Sequence, residues 1–136
     1  MILSTSSLRK LSGLLLVGVL LVACEPPPDR TATQGDGSML VAAELTRSPE
    51  IGPAPMVVRV TDPEGVGIDG ASVRIVGDMT HAGMQPVLVD AQGEGEGIYR
   101  ADDMHFTMAG DWFITVTVTA EGKRSSDVLF VNVPGR

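Results

Sequence analysis

Along most of the chain apolar and polar residues alternate one by one, which puts successive side chains on opposite faces of an extended backbone and marks β-strands. In the clearest run, Trp112, Ile114, Val116 and Val118 share one face, and Thr115, Thr117 and Thr119 share the other. Weaker runs cover Met39 to Thr46, Ala54 to Thr61, Ala71 to Val76, Pro86 to Asp90, Gly97 to Ala101 and Val128 to Val133. Between them fall Asp62-Pro63-Glu64-Gly65, Asp69-Gly70, Gln92-Gly93-Glu94-Gly95 and Ala109-Gly110-Asp111, where Gly or Pro supplies backbone angles that strands do not adopt. Helical periodicity is missing from these segments. The pattern predicts an all-β domain over residues 39–136, an immunoglobulin-like antiparallel β-sandwich of about seven strands, with a small closed barrel as the alternative. Aromatic residues make up only 4% of the chain. The core is therefore expected to be Val, Ile, Leu and Met around Trp112, Tyr99 and Phe130.

The first 38 residues follow a different logic. Arg9-Lys10 precedes an uncharged apolar run from Leu11 to Ala23, the arrangement of an export signal. The run is shorter than the ~20 residues a membrane-spanning helix needs. Its end, Leu21-Val22-Ala23-Cys24, resembles the lipobox of bacterial lipoproteins. That resemblance implies cleavage after Ala23 and acylation of Cys24, which would then hold the protein on the extracytoplasmic side of a membrane in the cell envelope. Cys24 is the only cysteine, so no internal disulfide, catalytic thiol or thiolate metal site is available. From Cys24 to Ser38 the chain is rich in Pro, Gly, Thr and Asp and holds almost nothing to bury, so it is expected to be a flexible tether.

Charge narrows the partners. The chain has 10 Lys and Arg against 17 Asp and Glu, and loss of Arg9 and Lys10 with the leader takes the net charge from −7 to −9. Nucleic acid is thereby disfavoured, because binding it requires clustered cations that displace counterions from phosphate. The length of 136 residues excludes a multidomain enzyme. Motifs for a nucleophilic serine, a phosphate loop or a zinc protease do not occur, and the acidic residues lack the spacing of an EF-hand. Asp102 and Asp103 are adjacent, and on a strand they would point to opposite faces. The chain is not expected to be an enzyme.

Methionine and histidine carry the remaining chemistry. Four of the seven Met residues, Met79, Met84, Met104 and Met108, lie within thirty residues of one another together with both histidines, His81 and His105. A thioether is a soft, uncharged donor that needs no deprotonation and prefers Cu(I), while imidazole binds Cu(I) and Cu(II). Zinc would favour Cys, His or carboxylate. The six residues are therefore candidate copper ligands, with Cu(I) favoured over Cu(II). The competing reading is structural: Met fills cores, and Met104 and Met108, four residues apart, would both point inward beside Phe106 on a regular strand, with His105 facing away.

The order Val57-x-Arg-Val60-x-Asp62-x-x-Gly65, Gly70-Ala71-x-Val73, the Met79-to-Met84 loop, Gly97-Ile98-Tyr99 and Met108-Ala-Gly110-Asp-Trp112 resembles the FixH/YtkA-like domain family over about Met39 to Val133. The resemblance implies an immunoglobulin-like sandwich in an exported or membrane-tethered protein, linked with copper handling or with assembly of copper-containing oxidases. Met79, His81 and Met84 match the family's Met-rich loop, and Met108 matches the Met before its Gly-x-Trp turn. Gly97, Tyr99, Gly110 and Trp112 read as turn formers and core. Two functions from different classes follow as expectations. One is a lipid-anchored copper-binding module that captures copper or delivers it to a copper protein or oxidase. The other is a metal-free interaction module that docks an envelope partner or assists oxidase assembly.

Overall fold

The computed structural model describes residues 30–135, with side chains from residue 35 onward, so the expected leader and Cys24 lie outside the described residues. Within that span the fold is all-β, with eleven strands: β1 (Arg30–Gly35), β2 (Leu40–Leu45), β3 (Gly52–Pro53), β4 (Met56–Thr61), β5 (Ser72–Met79), β6 (Val87–Asp90), β7 (Gln92–Gly95), β8 (Ile98–Ala101), β9 (His105–Phe106), β10 (Gly110–Ala120) and β11 (Lys123–Val133). One sheet has the order β1-β11-β10-β5-β6, the other β2-β4-β8-β7, and β3 and β9 form a small two-stranded pair. All the strand pairings are antiparallel. The architecture is the expected β-sandwich.

The seven anticipated strands are all present, and four more accompany them. β3 and β9 are two residues each, too short to show a period. β7 is Gln-Gly-Glu-Gly and fully exposed, so it carries no apolar signal. β1 falls inside the expected tether: Arg30–Gly35 pairs with β11, with Arg30 opposite Leu129 and Gly35 opposite Ser125. Backbone hydrogen bonding to an existing strand holds it without an alternating apolar face. The tether therefore cannot run to Ser38.

Alternation in sequence becomes burial in the sandwich. Val73, Ile75 and Met79 from β5 and Trp112, Ile114, Val116 and Val118 from β10 face Val41 and Ala43 of β2, Met56, Val58 and Val60 of β4, and Tyr99 and Ala101 of β8 across one core. Phe130 departs from its expected core position, being 49% exposed. Val128 to Val131 are apolar on both faces, and the register decides between them. Val131 lies opposite Trp112 and Phe130 opposite Phe113, which puts Phe130 on the outer face. There the Phe113 and Phe130 rings meet edge to face at 4.9 Å.

Two loops are fixed by specific bonds. The Tyr99 hydroxyl donates to the Ile68 carbonyl at 2.7 Å and accepts from the Ala71 amide at 2.9 Å, tying the crossover between sheets to the core. Gly97 has φ 72°, and a Cβ there would lie 2.2 Å from the Val60 carbonyl oxygen, so only glycine fits. The long β10–β11 hairpin turns through Glu121 and Gly122, both at positive φ as a two-residue turn of matching twist requires.

Candidate metal centre

One end of the larger sheet gathers the residues of interest. Antiparallel pairing sets Met79, the last residue of β5, opposite Trp112 near the start of β10, while Gly110 lies opposite Val133 at the end of β11. The β5–β6 connection, residues 80–86, leaves from the same end and carries His81 and Met84. Its turn has Gly83 at φ 86° and a long 3.5 Å bond from the Met84 amide to the His81 carbonyl. Residues 102–109 enter the same end from β8, held to the other sheet by the Ala54 amide donating to the Met104 carbonyl at 2.8 Å.

Trp112 is the hub of this end. It is fully buried, its ring centroid 5.1 Å from that of Phe106, and its indole N–H donates to the Met108 carbonyl at 3.1 Å. That bond folds the 108–111 turn back over the indole. Two glycines leave room for two thioethers here. A Cβ at Gly77 would lie 2.5 Å from Met104 Cε, and 3.6 Å from both Met104 Sδ and Trp112 Cε3. A Cβ at Gly110 would lie 2.6 Å from Met79 Cε. Gly77 was not legible as part of the site, although a glycine inside a strand pattern does signal close approach of another group.

The six candidate donors thus share one end of the sandwich but not one environment. Met104 is 0% exposed and Met79 is 6% exposed, both packed in the core around Trp112. Met84 is half-buried against that core. Met108 is 42% exposed, and His81 and His105 are exposed. The inward pairing considered for Met104 and Met108 holds for Met104 alone. β9 ends at Phe106, so the chain turns before the alternation reaches Met108. His105 does face away from the core, and its Nδ1 lies 3.0 Å from the Asp103 carbonyl oxygen. A carbonyl only accepts, so a hydrogen bond here puts a proton on Nδ1, and in that neutral tautomer Nε2 is the nitrogen open to a metal.

The donor chemistry at this end is soft and uncharged. Thioethers and imidazoles fit Cu(I), which takes two or three such donors without demanding anionic ligands. Among the described residues no group of three or more His, Cys, Asp and Glu is placed to hold a metal. Carboxylates do gather along the β6–β8 edge, where Arg100 Nε lies 3.2 Å from Asp102 and 3.8 Å from Glu94, and Arg74 pairs with Asp90. These ion pairs are exposed and solvated.

The model of a family described as YtkA-like matches residues 33–117, which include β2 to β9, most of β10 and all six candidate donors. No curated protein and no solved structure matches the chain significantly.

Proposed function

The chain belongs to the YtkA-like family, and from that premise we propose that it is an extracytoplasmic copper-binding module, anchored through Cys24, that captures or passes on Cu(I). The observation supporting this reading is that the 80–86 connection starts, and the 104–110 segment ends, where Met79 pairs with Trp112 at one end of the larger sheet. It puts the solvent-reaching donors His81, Met84 and Met108 at the same end of the domain. These three are the proposed ligands. Met79, whose methyl tip lies close to Gly110, is a further thioether at this end. His105 Nε2 is an auxiliary imidazole, and Met104 is assigned to the core. Bound copper would supply a transferable soft cation. The protein's part is to present uncharged donors on short loops over a rigid, buried indole.

Lipid at Cys24 would keep this end near a membrane. β1 starts at Arg30, six residue steps after Cys24, a separation that cannot exceed about 20 Å.

The test is Cu(I) retention by the full-length protein against a competing chelator. Replacing His81 and Met84 by Ala should abolish retention while the strand signature in far-UV circular dichroism persists. Unchanged retention would remove these residues from the site. Loss of acyl incorporation in a Cys24→Ser variant checks the anchor.

One observation favours the second, metal-free reading. The outer face of the larger sheet bears Phe113, Phe130, Val76, Val128 and Leu88, with Leu88 63% exposed, a surface suited to docking an envelope protein such as an oxidase subunit. Native mass spectrometry after copper exposure separates the two. A stoichiometric metal supports copper handling, and its absence supports docking.

A further inference from the structure

The described methionines fall into three exposure classes. Met39, Met56, Met79 and Met104 are between 0% and 6% exposed, Met84 is half-buried, and Met108 is 42% exposed. Met108 is also peculiar in its attachment. Its backbone is fixed because its carbonyl accepts the Trp112 indole N–H at 3.1 Å, while its side chain projects from the turn that this bond closes. Among the described methionines, a reagent in solution therefore reaches the Met108 side chain, carried on a fixed backbone, more readily than any other.

We propose that Met108 is a site of oxidative modification, and that its sulfoxide switches off the metal site of which Met108 is a proposed ligand. The co-reactant is a peroxide. The Met108 sulfur lone pair attacks the outer peroxide oxygen, the O–O bond breaks as the S–O bond forms, and a proton transfer releases water. Sulfur loses two electrons and the peroxide gains them. The product is a polar sulfoxide that presents a hard oxygen where a soft sulfur stood, which disfavours Cu(I). Because the bond to Trp112 uses the main chain, the fold does not depend on the oxidation state of the side chain. Reduction by a sulfoxide reductase would restore the donor. The copper-release half of this proposal rests on the function proposed above; the modification half does not.

The experiment is a hydrogen peroxide titration of the metal-free full-length protein, with peptide mapping by mass spectrometry and Trp112 emission followed in parallel. Met108 should gain one oxygen first, Met84 second, and Met104 at least about tenfold more slowly, since it must wait for local opening. Emission should stay native until Met108 is fully converted. Met108→Leu should eliminate the first oxidation event, and Met79→Leu should leave it in place. Equal rates at Met104 and Met108, or loss of native emission with the first oxygen, would overturn the proposal. The Cu(I) competition is then repeated on the singly oxidised protein. A loss of at least about tenfold in retention is expected for removal of one soft donor, and full retention would overturn the switch. If unoxidised protein also fails to hold Cu(I), the copper reading falls and the Met108 modification site is judged on its mapping alone.

Discussion

Met79 ends where Gly110 begins: a Cβ at position 110 would stand 2.6 Å from Met79 Cε, and Gly110 itself has φ 129°. The two lie on adjacent strands at the end of the larger sheet from which the segments carrying His81, Met84 and Met108 leave. Gly110→Ala should cost about 1–3 kcal/mol, because an L-residue is strained at this φ and its methyl displaces the thioether. In a Met79→Ala background the penalty should shrink without vanishing, since only the clash is relieved. Urea midpoints of the four proteins give both numbers.

Met104 and Met108 have the same side chain and opposite expected roles. Met104→Leu conserves core volume and should cost less than about 1.5 kcal/mol, leaving Cu(I) retention unchanged. Met108→Leu should leave the thermal midpoint unchanged and lower retention. A loss of retention in the Met104 variant would bring that buried sulfur into the site.

Tyr99→Phe should cost about 1–3 kcal/mol, because it removes the acceptor for the Ala71 amide and the donor to the Ile68 carbonyl together. Hydrogen exchange should accelerate at Ala71 well before it does at Val116 in β10.

Arg74 and Asp90 form a two-point ion pair across β5 and β6, with Nε to Oδ1 at 2.8 Å and Nη2 to Oδ2 at 3.2 Å. The hydrogen bond from Arg74 holds the Asp90 carboxyl below its ordinary range, and attraction to the guanidinium adds to this. Its contribution is therefore present above the unfolded carboxyl pKa of about 3.9 and disappears as pH falls through the lower folded value. Asp90→Asn should lower stability slightly at pH 7, with the difference from wild type fading in strong salt and closing at the acid end. Both groups are mostly solvent-exposed, so the effect is small. A difference that persists unchanged in acid would exclude the ion pair as its cause.

Much of the core could be read directly. Strict alternation in Trp112 to Thr119 identified the inward side chains Trp112, Ile114, Val116 and Val118, all of which are buried. The turn motif Met108-Ala-Gly110-Asp-Trp112 also pointed to the end of the fold that gathers the candidate donors. Burial of the individual methionines was less accessible. Met79 looked like a loop residue because Gly77 and Asp78 interrupt the apolar pattern, yet both continue β5 in register with β10.

What the sequence determined by itself was local: extended backbone, the inward-facing residues of the regular strands, the turns forced by glycine, and the lone Cys24 after an apolar run. The strand and turn features depend on side-chain alternation and backbone sterics within a few residues. Three features depended on the tertiary structure. Arg30–Gly35 became a strand only because β11 offered it a hydrogen-bonding edge. Phe130 went outward because its register with Phe113 committed the opposite face to Trp112. Met104 and Met108 parted company because a two-residue strand ended between them and the Trp112 indole drew the following turn over itself. Pairing and packing join residues far apart along the chain, and no local period encodes them.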